Sequence, residues 1–131
     1  MELLIDSILV EIFHLIHESF VQRLVIDSVG DLSSAVADEQ RLHDYIYALV
    51  QHLRVHQVTS LLLIERGSLL QSLTPASQDS RISYLSDNLM LLEMRGDERP
   101  RRFLRVAKVR GAAHDLDPHE IDMKADGIFL R

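Results

Sequence analysis

Residues 2 to 20 place Leu4, Ile5, Ile8, Leu9, Ile12, Leu15, Ile16 and Phe20 at steps of three and four, with Asp6, Glu11, His14, His17 and Glu18 largely off that stripe. The spacing predicts an amphipathic helix. Arg23-Leu24-Val25-Ile26 then forms a short apolar run that stops at Asp27 and Ser28. Too short for a helix and followed by turn-formers, it reads as a strand buried on both faces, the kind found in parallel sheets. A polar loop over Val29 to Ala37 follows, and Asp38 opens a second helix in which Leu42, Tyr45, Ile46, Leu49, Val50 and Leu53 recur at helical spacing. Thr59 to Glu65 repeats the form of the first strand, an apolar run ending in an acid. Strand, helix and second buried strand make a βαβ unit.

Residues 66 to 81 carry loop chemistry around Leu69 and Leu70. Leu89 to Met94 predicts a third strand, turned back by Arg95-Gly96-Asp97-Glu98-Arg99-Pro100 into a fourth, Phe103 to Val109, as an antiparallel hairpin. A two-residue period in that strand puts Arg102, Leu104, Val106, Lys108 and Arg110 on one side. Residues 121 to 130 predict a terminal strand pair around Asp126-Gly127. The chain shows no internal repeat or low-complexity linker, and 1–131 reads as a single α/β domain.

Composition narrows the classes. At 131 residues, 47% hydrophobic and 26% charged, the chain looks like an ordinary globular protein. The absence of cysteine excludes a disulfide scaffold and thiolate chemistry, and fits a cytoplasmic location. A net charge of −6 argues against general nucleic-acid binding. Seven of the 14 basic residues nevertheless lie between Arg95 and Arg110, whereas the first twenty residues contain none. That leaves no positive region for a signal peptide, and charges interrupt every apolar run before it could span a bilayer, so no membrane is expected.

The candidate chemistry sits at strand ends. In open α/β sheets ligands lie outside the carboxyl ends of the strands, which places Asp27 and Ser28 at the crevice. An apolar run followed by Asp is the Walker B arrangement, which holds a magnesium-bound water in phosphate-handling ATPases. The competing reading is that the two residues end a strand and begin a turn toward Gly30. Glu65 emerges at the same sheet edge as a water-positioning or structural carboxylate. Lys108 and Arg110 point the same way, Gly111 permits a sharp turn, and His114 follows four residues beyond Arg110. Their alternative is a solvated strand edge with a loop histidine. The wider arginine cluster reads either as a hairpin edge protected by charge or as a nucleic-acid contact, the latter disfavoured because few aromatics interleave it. His14 and His17 have a spacing that could bind a metal but lack a third ligand in register.

Lys108-Val109-Arg110-Gly111-Ala112-Ala113-His114 resembles the closing segment of the KaiC family of circadian clock proteins and their relatives, in the RecA-like superfamily of P-loop ATPases. Four further segments resemble the family in its order: Arg23 to Ser28 its Walker B strand, Tyr45 to Leu53 the following helix, Ile82 to Asn88 the segment before the third strand, and Asp122 to Ile128 the final hairpin. The resemblance implies a partial RecA-like fold, with a mostly parallel central sheet, flanking helices and a C-terminal antiparallel hairpin extension. It implies ATP and Mg2+ as cofactors, with Asp27 holding the magnesium shell and Ser28 a phosphate-bound water. Lys108 and Arg110 would approach the γ-phosphate bound by a neighbouring subunit, with His114 near its sugar or base.

Two departures shape the expectation. The phosphate loop G-x-x-x-x-G-K-[ST] is absent from this sequence, whose only lysines are Lys108 and Lys124, and the carboxylates that follow that loop in the family are missing too. Where clock members carry adjacent phosphorylatable Ser and Thr, this chain has Ser83 and Tyr84. The expected protein has little or no hydrolysis of its own, and its partners are copies of itself or full-length KaiC-like subunits. The alternatives are a non-catalytic regulatory or interaction module that retains the fold, and a truncated fragment of a full ATPase. In the family's sheet order the phosphate-loop strand lies between the second and third strands here, so its loss predicts open strand edges and self-association.

Overall fold

The computed structural model describes residues 2–34, 39–65 and 83–131, and the chain divides into two compact units whose boundary falls after Leu85. The first holds α1 (Glu2–Glu18), β1 (Arg23–Ile26), α2 (Val29–Ser34), α3 (Glu39–Val55) and β2 (Thr59–Leu62). β1 and β2 pair in parallel, from Arg23 opposite Thr59 to Ile26 opposite Leu62, with the helical crossover between them. The anticipated βαβ unit is present.

Its core follows from the helical stripes. Ile16 of α1 meets Leu49 and Leu53 of α3 and Val58, with Leu9, Ile12, Phe13, Leu24 and Ile26 packed around them. Val29, Ile46, Val50 and Leu85 form a second cluster against Ile26, Leu42 and Leu62. Tyr45 ties the two long helices together, its Oη donating to Asp6 Oδ1 at 2.7 Å. That bond raises the Tyr45 pKa, because the carboxylate favours the protonated phenol.

Three expectations need correction. β1 is covered on one face only: Leu24 and Ile26 pack inward, whereas Val25 and its partner Leu61 are 61% and 56% exposed. Both α1 and α3 lie on the Leu24/Ile26 side. Leu15 and Phe20 fall off the buried stripe. Leu15 sits about 100° around the helix from Ile16, and Phe20 lies beyond the last helical residue, with φ 50° and 89% exposed. Residues 29–34 form a helix where a loop is expected, because Ser28 stands at its start and Asp31 three residues on accepts from Ser28 N and Oγ, at 3.5 and 3.4 Å. The expected helix start at Asp38 and the loop over 66–81 lie outside the described residues.

The second unit is a four-stranded antiparallel meander in the order β3 (Asn88–Arg95), β4 (Arg101–Val109), β5 (His119–Lys124), β6 (Gly127–Leu130). Both expected strand pairs are present, and β5 joins them by pairing with β4. The tip between β3 and β4 depends on Gly96, at φ 98°, where a Cβ would stand 3.1 Å from the Arg99 carbonyl oxygen. The architecture is thus α/β, a parallel pair with helices plus an antiparallel C-terminal sheet.

One irregularity reorganises the faces of this sheet. Leu89 pairs with Lys108 but Met90 pairs with Val106, so Ala107 is an extra residue, a β-bulge. Cross-strand partners share a face, so Lys108 and Arg110 share one with each other but not with Val106, Leu104 and Arg102, contrary to the simple two-residue alternation. One face carries Met90, Leu92, Met94, Leu104, Val106, Ile121, Met123, Ile128 and Leu130. The other carries a network of charges. Glu93 pairs with Arg95 and Arg105, Arg101 with Glu120 at 3.0 Å, and Arg131 with Asp122. Arg95 and Arg101 also lie over the Phe103 ring, at 5.0 and 5.8 Å from its centroid.

No helix among the described residues is long and apolar enough to cross a membrane.

Candidate functional site

The candidate residues fall into two groups, one in each unit. Asp27 follows the last residue of β1 and is exposed. The parallel strands hold this end together through backbone bonds: Leu63 N donates to the Ile26 carbonyl at 2.9 Å, and Val29 N donates to the Leu63 carbonyl at 2.8 Å. Glu65, two residues past Leu63, is exposed at the same carboxyl edge as Asp27. An exposed carboxylate there suits a hard cation held through water, the coordination Mg2+ prefers. Ser28 is half-buried, and its N–H and hydroxyl both point to Asp31.

In the second unit the two cations converge on one short segment. Lys108 Nζ donates to the Ser86 carbonyl at 2.8 Å, and Arg110 Nη1 lies 3.3 Å from Asp87 Oδ1. The Arg110 backbone N–H also donates to the Asp87 carbonyl, at 2.8 Å. Ser86-Asp87 therefore anchors both side chains at the start of β3. The bulge at Ala107 sets their face, and sequence reasoning missed this anchor because it depends on register rather than on any local motif.

His114 is half-buried beyond the Gly111 turn. Its Nδ1 lies 3.5 Å from the Ala112 carbonyl, and its enclosed Nε2 has no hydrogen-bond partner. Next to it, Asp115 accepts the Asp117 N–H at 2.9 Å and stands 3.2 Å from His119 Nε2. Chiefly the Asp117 N–H, and secondarily His119, hold the Asp115 carboxyl below its usual range.

A second feature of the first unit escaped the sequence reading. His17, His52 and His56 gather where α1 and α3 end, with His52 stacked on Phe13 at 4.0 Å and tilted against His56 at 4.4 Å. Burial first, then the charges of His56 and His17, lowers the His52 pKa. His17 and His56 border an open cavity of about 620 Å3 together with Phe20, Arg23 and Thr59, at the amino edge of the parallel pair and so away from Asp27. His14 pairs with Glu18 at 3.2 Å. Among the described residues no three His, Cys, Asp or Glu side chains are placed to hold a metal ion.

Comparison with known proteins gives concordant results. A family model described as the KaiC ATPase matches residues 2–130, across both units. The chain is 23% identical over 111 residues to the circadian clock protein KaiC3 of Synechocystis, covering 84% of this chain and 21% of that protein. Its fold is similar to the crystal structure of a KaiC-like protein from the hyperthermophilic archaeon Pyrococcus horikoshii. There the TM-score is 0.77 at 19% identity, with 97% of this chain and 54% of the other covered. The chain thus spans about a fifth of the clock protein and about half of the archaeal one.

Proposed function

The chain belongs to the KaiC ATPase family, and from that premise we propose that it acts within a ring, or beside a partner subunit, by presenting Lys108 and Arg110 to a nucleotide that the neighbour binds. The observation that carries this reading is the common anchor: both cations are fixed on Ser86-Asp87, on one face of the sheet, immediately before the Gly111 turn. A preorganised cation pair of this kind stabilises charge that develops on a γ-phosphate. In the neighbour's site, water attacks the γ-phosphorus as the bond to the β–γ bridging oxygen breaks, and Lys108 and Arg110 neutralise the oxygens that gain charge. His114 would contact the same nucleotide near its sugar or base.

The first unit's edge supports a complementary role. Mg2+, if bound at this edge, would supply positive charge against the phosphates. Asp27 would hold its water shell, Ser28 would bond a phosphate-bound water, and Glu65 would position a further one. The residues present do not fit a complete nucleotide seat, because this sequence contains no G-x-x-x-x-G-K and neither lysine lies in a glycine-rich loop. The isolated chain, a single partial domain on this reading, therefore hydrolyses ATP very slowly or not at all. Its partner is a second copy or a full-length KaiC-like subunit arranged head to tail.

The test is ATP turnover by a full-length KaiC-like relative mixed with this chain. Arginine fingers contribute about 10³–10⁵ in rate, so the chain raises turnover and Arg110→Ala removes the stimulation. Unchanged turnover favours a second reading, a regulatory or interaction module that keeps the fold without the chemistry. One observation speaks for that alternative: this sequence contains no G-x-x-x-x-G-K.

A further inference from the structure

The cavity where α1 and α3 end has a chemistry that the nucleotide reading leaves unused. Its volume of about 620 Å3 falls in the range of ordinary ligand pockets, roughly 300–1,000 Å3. The first unit alone lines it, from the turn between α1 and β1 and the turn between α3 and β2. Buried Ile16 and half-buried Val21 supply apolar surface. The chain has 20 acidic residues and 14 basic ones, yet every ionisable group on this lining is basic: Arg23, His17 and His56. Arg23 opens β1 and Asp27 follows its last residue, about 13 Å further along the strand. The cavity is therefore separate from the carboxyl edge.

The backbone singles the same place out. Among the described residues, the non-glycine residues with positive φ are Phe20, at 50°, and Gln57, at 57°, and both line the cavity. Each lies just past a helix, where the left-handed residue is ordinarily glycine. A Cβ there costs conformational energy, and Phe20, 89% exposed, recovers little of it by packing. Two strained side chains on one cavity point to a role outside folding. The imidazoles are held in place as well, with His56 4.4 Å from His52 and edge-on to His17 at 5.8 Å. Free carbonyls at helix C-termini repel anions, but several here are engaged. Leu15 accepts from Ser19 N and Leu53 from Val58 N, both at 2.9 Å, and Arg54 accepts from Gln57 N at 3.1 Å.

We propose that this cavity binds a small aromatic anion, a flat ring bearing a carboxylate, sulfonate or phosphate group. Arg23 pairs with the anionic group, which its planar guanidinium can hold through two parallel bonds. His17 and His56 donate ring N–H groups, and Phe20 offers a ring on which the ligand stacks. The site is independent of Lys108 and Arg110, which belong to the other unit.

The probe is naphthalene-2-sulfonate, added to the full chain and followed by amide NMR. Naphthalene-2-sulfonamide serves as the neutral ring and methanesulfonate as the anion without a ring. The sulfonate should shift the Gln22, Arg23, Gln57 and Thr59 signals saturably, and both controls should bind about tenfold more weakly or less. Arg23→Gln, at an exposed position, should weaken binding by about tenfold or more. Phe20→Gly should weaken it about threefold to tenfold while leaving the thermal midpoint unchanged or raised, because glycine suits the left-handed backbone. Equal binding of sulfonate and sulfonamide overturns the proposal. So do shifts confined to β3–β6, affinity indifferent to Arg23→Gln, or no saturable shift at millimolar probe. A lowered midpoint with unchanged affinity in Phe20→Gly would make Phe20 structural and equally contradict it.

Discussion

All the buried hydrophobic residues among the described positions, from Ile5 to Leu85, belong to the first unit. The second unit has none, and holds its four strands by backbone ladders, ion pairs and rings under guanidinium groups. The first unit thus has what an independently stable body needs, a core of side chains removed from water on folding. The second has a charged face that satisfies itself and an apolar face that does not. That sheet also carries the two cations that the proposed function requires.

The comparison can be broken most forcefully in the first unit. Leu49 is 1% exposed, so Leu49→Ala should cost about 2–5 kcal/mol in chemical denaturation. Leu92→Ala, on the exposed sheet face, should change the stability of the monomer by less than about 0.5 kcal/mol. Equal losses at the two positions would erase the distinction. A smaller effect is expected at the entry to α2. Asp31→Ala removes the acceptor of the Ser28 N–H and hydroxyl and should cost about 1 kcal/mol. Its site of action can be read from faster amide exchange in α2 and unchanged exchange in β3 and β4.

In the second unit, Glu93→Gln weakens the pairs with Arg95 and Arg105 and should cost below about 1 kcal/mol. The loss should shrink as salt rises, whereas that from Leu49→Ala should not. The smallest effects are pH-dependent. His52 has a lowered folded pKa, so its unfolded form takes up a proton first as pH falls below about 6.5. Stability of the first unit is therefore full above that value and declines below it. Asp115 has the opposite character: its contribution is present above the ordinary carboxylate value and is lost as pH falls through its depressed folded value. Acid titration followed by amide exchange should therefore loosen α3 before β5.

Much of the fold could be read from periodicity. The α3 stripe, the two apolar runs ending in acids, the Gly96 tip and the Asp126-Gly127 turn each state their structure locally. The strand after the Gly96 tip could be placed, but its faces could not, since a bulge at Ala107 is decided by pairing across the sheet. Phe20 misled because a list of apolar positions does not say where a helix stops, and Leu15 because it sits about 100° around the helix from the buried Ile16. At the candidate site, Asp27 and Glu65 were legible from the ends of their strands. The anchoring of Lys108 and Arg110 on Ser86-Asp87 was not, because those partners are more than twenty residues away and meet the cations only through the register of β3 on β4.

The most direct measurement is the NMR resonance of the Arg110 side-chain N–H in labelled chain. It should move when a KaiC-like relative loaded with Mg2+ and a non-hydrolysable ATP analogue is added, and stay in place with the relative alone or the nucleotide alone. A shift with nucleotide alone would show that this chain seats its own triphosphate, and no shift in the full mixture would show that Arg110 does not reach a neighbour's.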